Sequence, residues 1–564
     1  MRSRTRLRTS RVIVSVALTS LTLITGCSSY DEGDAPLPVA SSSGDITLFS
    51  GTTGNMTRDF NPFSHTSLSG TVGMVYETLF FFNQAKSGEE RPWLAQKYAI
   101  SPDGKKLTFT VRPNVKWSDG QPLTSDDVAF TFNYLRKNPL INTYGLPLAG
   151  ATKINSTTVE VDFTQPAFAY VWYAAGQTPI VPQHVWQNIS SPATSKNSNP
   201  IGTGPFQLKN FTPQSFVLAK NATYWQTGKP ALSSVRFVSY SGNSAALNAL
   251  NAGQIDWAGI FIPDVKNKFV AMNPSVNHYV KFSSGDITNL IPNLATWPTN
   301  QLPVRQAINY ALDRSALNAQ AFSGTGTMPS AAGVAVPRDQ KYLSAAYKEL
   351  RAPYDPAKAT QTLEAAGYHK DSAGYYQDTT GRRLSVMCLV VSGWTDYLSA
   401  MLVIKDELKR VGIEFAAEEV SYTSFLDREH NGEFQLAIDN AKGGPGPYFL
   451  FNYMLNSANT APVGQEATTN FARFSNPKAD SLLAQAAGTD DQAILAQAYL
   501  GLEKIFVEQL PYIPVIQPQA MTEYRTEKFT GMPTPDNPYA LPIVWEYPDL
   551  GVIASELKIT NSGD

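Results

Sequence analysis

Residues 106–135, KLTFTVRPNVKWSDGQPLTSDDVAFTFNYL, set the fold class. From Lys106 to Arg112 apolar and polar residues alternate with the period of a half-buried strand. Pro113 then stops the ladder, because it has no N–H to donate. Asp119-Gly120 reads as a hairpin turn, with glycine taking the positive φ that side chains resist. Thr124-Ser125-Asp126-Asp127 supplies a hydroxyl cap and first-turn acids ahead of an apolar face from Val128 to Leu135. Strand, turn and helix follow in close succession.

The alternation continues outward. Thr157 to Phe163 has the strand period and is stopped by Gln165-Pro166. Val304 to Leu312 and Ala400 to Val411 have the spacing of amphipathic helices. Asp355-Pro356 opens another helix, with proline at its first position, which runs through Leu363 and stops at Gly367. Strands and helices mixed in this way, without a repeat of about 20–50 residues, predict an α/β architecture. At about 100–200 residues per domain, 564 residues predict two to four domains.

Composition narrows the function. The chain has 45 Lys plus Arg against 47 Asp plus Glu, a formal net charge of −2 that gives no footing for nucleic acid. Its two cysteines stand 361 positions apart, so neither a disulfide framework nor a Cys-based zinc module is available. Cys388, in the apolar run Leu384 to Val391, reads as a buried strand residue. The chain contains no Gly-x-Ser-x-Gly elbow, no phosphate-binding Gly-x-x-x-x-Gly-Lys-Ser/Thr loop and no His-Glu-x-x-His. Its five histidines, His65, His184, His278, His369 and His430, are widely separated, with no local metal-ligand pair. No cofactor or metal is expected.

The first residues give a location. Arg2, Arg4, Arg6, Arg8 and Arg11 precede the apolar stretch Val12 to Ile24, a pattern of charged start and short hydrophobic region typical of a signal segment. Spanning a hydrocarbon core of about 30 Å would need a longer run. Thr25-Gly26 before Cys27 resembles a bacterial lipobox, which implies lipid on Cys27, cleavage before it and durable anchoring by several chains. Loss of residues 1–26 would leave 40 basic and 47 acidic residues, a net of −7. Residues 27–44, rich in Ser, Pro, Gly and Asp, then read as a flexible tether. The expected product is extracytoplasmic and anchored to the cell membrane.

From Leu94 a known order of blocks appears. It comprises Leu94-Ala95, Ile100 to Gly104, Val115 to Gly120, Asp126-Asp127-Val128, Pro200 to Phe206, Asn221 to Trp225, Leu250 to Asp256, Val304 to Ile308, the Ile404 to Ile413 helix and turn, and Leu510 to Pro514. Together they resemble family 5 of the bacterial extracellular solute-binding proteins, the receptors of oligopeptide, nickel and oligosaccharide ABC importers. The resemblance implies a two-lobed periplasmic-binding-protein-like α/β fold of type II, with an extra domain on lobe I and a hinged cleft. Carried over, lobe I takes residues 45–78, 199–286 and 517–556, the inserted domain 79–198, and lobe II 287–516. Crossings are expected near Asn289-Leu290 and near Pro514 to Gln517. It also implies a monomer that hands its ligand to permease subunits and is no enzyme. Gly202, Thr203 and Gly204 would mark a sharp bend between lobes, and Trp117 and Trp225 would wedge between layers.

The same resemblance bears on the solute. Peptide receptors of the family hold the ligand's amino group with the aspartate of an Asp-Pro block, because an unpaired buried ammonium is costly. The corresponding stretch here places Gly446-Pro447 in that register, and Asp439 would substitute only in another one. Tyr448, Phe449, Phe451, Tyr453 and Asn452 follow, and rings with amides suit the C–H faces and hydroxyls of sugars. Oligosaccharide is therefore the leading ligand class and oligopeptide the alternative. The expected contacts are Trp257, Trp297, Trp394, Gly446, Tyr448, Phe449, Asn452 and Arg473. A hydrolase, the remote alternative, needs two positioned carboxylates about 5–9.5 Å apart. Glu418-Glu419 reads instead as a solvated pair beside a strand.

Overall fold

The computed structural model describes residues 44–545 and 548–560. The signal segment 1–26, Cys27 and nearly all of the tether 27–44 lie outside the described residues. Lys106–Val111 forms the expected strand and Ser125–Lys137 the helix behind it. Thr124 and Asp127 make a reciprocal capping box at the helix start, which satisfies backbone N–H groups that the helix itself cannot. Gly120 has φ 89° in the turn, and its N–H donates to the Trp117 carbonyl across 2.9 Å. Lys106–Val111 sits in an antiparallel sheet of four strands ordered Ala95–Ile100, Lys106–Val111, Thr158–Phe163, Leu148–Lys153. The inward positions Leu107, Phe109, Val159 and Val161 meet Val128 and Phe132 of the helix, all fully buried. Burying each such side chain stabilises by about 1.5–3 kcal/mol.

Two larger sheets carry the rest. The first has seven strands, ordered Asn277–Ser283, Gln519–Arg525, Trp257–Ala258, Asp45–Thr53, Ser234–Tyr240, Ser215–Lys220, Phe206–Thr212. The second has five, ordered Glu414–Val420, Ser385–Val391, Leu436–Ala441, Ile287–Pro292, Ile513–Ile516. Asp45–Thr53 pairs in parallel with Ser234–Tyr240 and with Trp257–Ala258, and Ser385–Val391 does so with both Glu414–Val420 and Leu436–Ala441. Parallel neighbours need crossovers, and the helices Asn243–Asn251, Thr395–Arg410 and Tyr422–Asn431 provide them. Cys388 is fully buried in its strand, and burial pushes its thiol pKa up. Among the described residues no helix is long and apolar enough to cross a membrane.

The chain passes between the two large sheets twice. Residues 284–286 link Asn277–Ser283 to Ile287–Pro292, and residues 517–518 link Ile513–Ile516 to Gln519–Arg525. The first crossing thus precedes the Asn289-Leu290 site expected from sequence, because Asn289 and Leu290 are already paired within the second sheet. The reading of Gly202 and Gly204 changes as well. A Cβ on Gly202 would lie 1.8 Å from the Val75 carbonyl oxygen, and one on Gly204 2.2 Å from that of Met74. These glycines allow close backbone packing, and the bend at residues 203–205 is local, away from both passages between the large sheets. Trp117 is fully buried, whereas Trp225 is half-buried under the Arg112 guanidinium and donates to Glu77.

Candidate functional site

A cavity of about 450 Å³ is lined by residues from both crossings, Asp286 and Pro518 among them. That volume is in the range of small-molecule sites. Its rings come from separate parts of the chain. Trp394, just before the helix Thr395–Arg410, packs against Tyr397 and Tyr422 at centroid distances of 5.6 and 5.5 Å. Its indole N–H donates to the Gly51 carbonyl at 3.2 Å, which ties the second sheet's side to the first and fixes the ring. Tyr144 stacks on Tyr173 at 4.7 Å, with Trp172 alongside. The amides of Asn142, Gln177, Asn243, Asn440 and Gln519 also line the space. Asn440 is oriented by the Thr288 hydroxyl and the Tyr397 hydroxyl, which donate to its side-chain oxygen at 2.6 and 3.2 Å.

Charge in the lining is lopsided. Asp286, Asp396, Glu429, Asp439 and Glu466 face the cavity, against Lys442 and, among the described residues, no arginine. Burial pushes Asp396 and Asp439 up to about 6. Burial also raises Asp286, although the Gly443 N–H donates to it at 2.9 Å. Glu429 is pushed well above the carboxylate range by burial and by the neighbouring Asp439.

Two of the scattered histidines meet here. The rings of His65 and His430 stack at 4.3 Å. His65 reaches Glu466 through Nδ1 at 2.8 Å and Asp427 through Nε2 at 3.1 Å. Burial opposes charge on His65, but the two acids outweigh it and raise its pKa. His430, paired through Nδ1 with the Ala467 carbonyl at 2.9 Å, is driven well below its ordinary value by burial and by His65. His65, His430 and Glu466 offer ligand atoms within 4.8 Å of one another, a set able to hold a metal ion once His65 gives up a carboxylate. Separation along the chain hid this cluster.

The sequence profile described as "Bacterial extracellular solute-binding proteins, family 5 Middle" matches residues 89–462. The chain belongs to this family. It is the substrate-binding protein of an ABC importer and works with that importer's permease. Members of family 5 are transport receptors rather than enzymes. The glutathione-binding protein GsiB of Escherichia coli K12 is 27% identical over 478 residues, covering 81% of this chain and 84% of GsiB. The periplasmic oligopeptide-binding protein of Thermotoga maritima, solved with mannohexaose, superposes with a TM-score of 0.86 at 24% identity, covering 93% of this chain and all of that one. AppA of Bacillus subtilis, solved with a nonapeptide, gives 0.79 at 22%, covering 92% of this chain and 99% of AppA. These likenesses establish the two-lobed periplasmic-binding-protein fold that the sequence blocks implied.

Within that family fold, Trp394 alone of the eight expected contacts lines the cavity, joined by Tyr453 from the rings that follow Gly446-Pro447. Trp257 is fully buried between Leu48 and Tyr524 in the larger sheet. Trp297 lies beneath the Arg382 guanidinium, 3.6 Å from its ring centroid. Gly446 precedes the helix Pro447–Leu455, which buries Tyr448, Phe449 and Asn452 one layer behind the cavity. Phe449 meets Trp172 edge-on at 4.6 Å, and the Asn452 amide approaches the Tyr173 hydroxyl at 3.4 Å. Arg473 donates to the carbonyls of His430 and Phe471 at 2.6 and 3.0 Å and serves as a loop brace. Pro447 opens a helix whose register turns these side chains away from the cavity and leaves Tyr453 at its wall. Asp439, set aside on register, faces the cavity. Glu418, weighed for hydrolysis, is paired with Arg428 at 2.6 Å.

Proposed function

We propose that this receptor captures an oligosaccharide in the cavity and delivers it intact to its permease, held at the membrane by lipid on Cys27. The observation that carries the ligand class is the lining: Trp394, Tyr422, Trp172 and Tyr144 offer ring faces, and five amides stand among them. Rings stack on sugar C–H faces, and amides both donate to and accept from hydroxyls. The mannohexaose held by the Thermotoga maritima protein supports the same reading. An oligopeptide is the second reading, favoured by Asp439 in the lining. Peptides also bring a carboxylate terminus, for which Lys442 is the lysine among the described lining residues.

The lobes are proposed as residues 45–78, 199–286 and 517–556 against 287–516, with 79–198 inserted. The strands of each large sheet fall within one of these sets. Ligand touching both lobes then favours the closed arrangement by its differential affinity, in a monomer and without bond chemistry. Thermal-shift measurements with manno-, cello- and xylo-oligomers against peptides test the reading. A bound ligand at a hundred times its Kd stabilises by about 2.7 kcal/mol. A melting shift with peptides alone overturns the sugar assignment, and shortened oligomers in the recovered mixture overturn the receptor mechanism.

A further inference from the structure

One end of the cavity holds more acid than neutral hydroxyls require. Asp286 sits at the first crossing, Asp439 on the strand Leu436–Ala441 and Glu429 on the helix Tyr422–Asn431. Glu429 is 1% exposed, lines the cavity, and its Oε1 has no hydrogen-bond partner. A buried carboxyl oxygen left in that state loses its hydration without compensation. The cations nearby do not redress the balance. Lys442 is shared among Asp286, Asp439 and Glu429. Arg473 gives Nη1 and Nη2 to backbone carbonyls and leaves only its buried Nε unpartnered, and Arg338 is paired with Asp339 at 2.7 Å. The hydroxyl groups of Tyr453 and Tyr512 near Glu429 bring no positive charge.

We infer that the cargo carries an ammonium group, and that Glu429, Asp439 and Asp286 form its seat at the hinge end of the cavity. An ammonium supplies both what Glu429 lacks: a positive charge and three N–H donors, in a site where charge-assisted hydrogen bonds are strong. This inference rests on the cavity being the cargo site and narrows the cargo to an amine-bearing oligomer. An amino sugar and the amino terminus of a peptide both present that group.

Calorimetric titration separates the sources. The probes are glucosamine tetramer, N-acetylglucosamine tetramer, and tetraalanine with a free or an acetylated amino terminus. Glucosamine tetramer is expected to bind more tightly than its acetylated counterpart by about tenfold or more, and Glu429→Gln to remove that preference. Asp439→Asn should weaken it in the same direction, and melting curves establish that both variants fold. Equal binding of the two sugars, unaffected by Glu429→Gln, overturns the ammonium seat and leaves the oligosaccharide reading intact. Binding of free but not acetylated tetraalanine, lost in Glu429→Gln, supports the seat and overturns the sugar reading. Binding of none of the four probes overturns both.

Discussion

His65 Nδ1 stands 2.8 Å from Glu466 Oε1, across 401 positions of chain, and Asp427 takes the other ring nitrogen. His65 follows the first strand of the larger sheet, whereas its two partners lie in segments flanking the last strands of the smaller one. The contact therefore ties the two sides of the cleft. Its pH dependence follows from the raised pKa of His65. The tie is fully present below the unfolded value of about 6.5 and is lost as pH rises through the folded pKa. His430, whose pKa is depressed, costs stability as pH falls below the same unfolded value, so the two effects separate. Between pH 6.5 and 9 the melting temperature of the wild type should fall towards that of His65→Gln. Parallel curves over that interval would remove the tie.

Trp394 and Trp257 should part company on substitution. Trp394→Ala removes a cavity wall, and cargo affinity should weaken by about 1–3 kcal/mol, with less loss of stability than Trp257→Ala. Trp257→Ala empties a fully buried position and should cost about 3–5 kcal/mol of folding free energy. Binding titrations and denaturant unfolding on both variants check the pair. A stable Trp257→Ala with weakened binding would contradict this assignment.

Two glycines test close packing against backbone strain. Gly120 has φ 89° with open space around a would-be Cβ, so Gly120→Ala should cost about 1–2 kcal/mol from the left-handed conformation. Gly202→Ala would drive a Cβ to 1.8 Å from a backbone oxygen, and should cost about 3 kcal/mol or more. Equal losses in urea unfolding would mean that the Val75 carbonyl yields easily.

Thr124→Ala should destabilise by about 1 kcal/mol by removing the cap, and Thr124→Ser should restore most of it. Unfolding midpoints of the three proteins decide. A neutral Thr124→Ala would mean that Asp127, which accepts from the Thr124 N–H at 2.9 Å, carries the cap alone.

Local elements were legible because their signals are local. The alternation ending at Pro113, the turn at Asp119-Gly120 and the Thr124 cap each need only neighbouring residues, and all three stand in the structure. The cavity was far less legible. Its chemistry is brought together from His65, Asp286, Trp394, Glu429, Asp439 and Glu466, which no window of sequence contains. Aromatic identity did not separate Trp394 from Trp257, because the difference is whether the ring meets a cavity or a sheet interior. An apolar run after Gly-Pro has the composition of a binding loop and the geometry of a buried helix.

The paired crossings at residues 284–286 and 517–518 have a mechanical consequence. If the proposed lobes move as bodies, these adjacent connections would favour a swivel about the line between them over sliding. One pair of fluorescent labels, at exposed Ile154 and Leu402, would follow that swivel in real time.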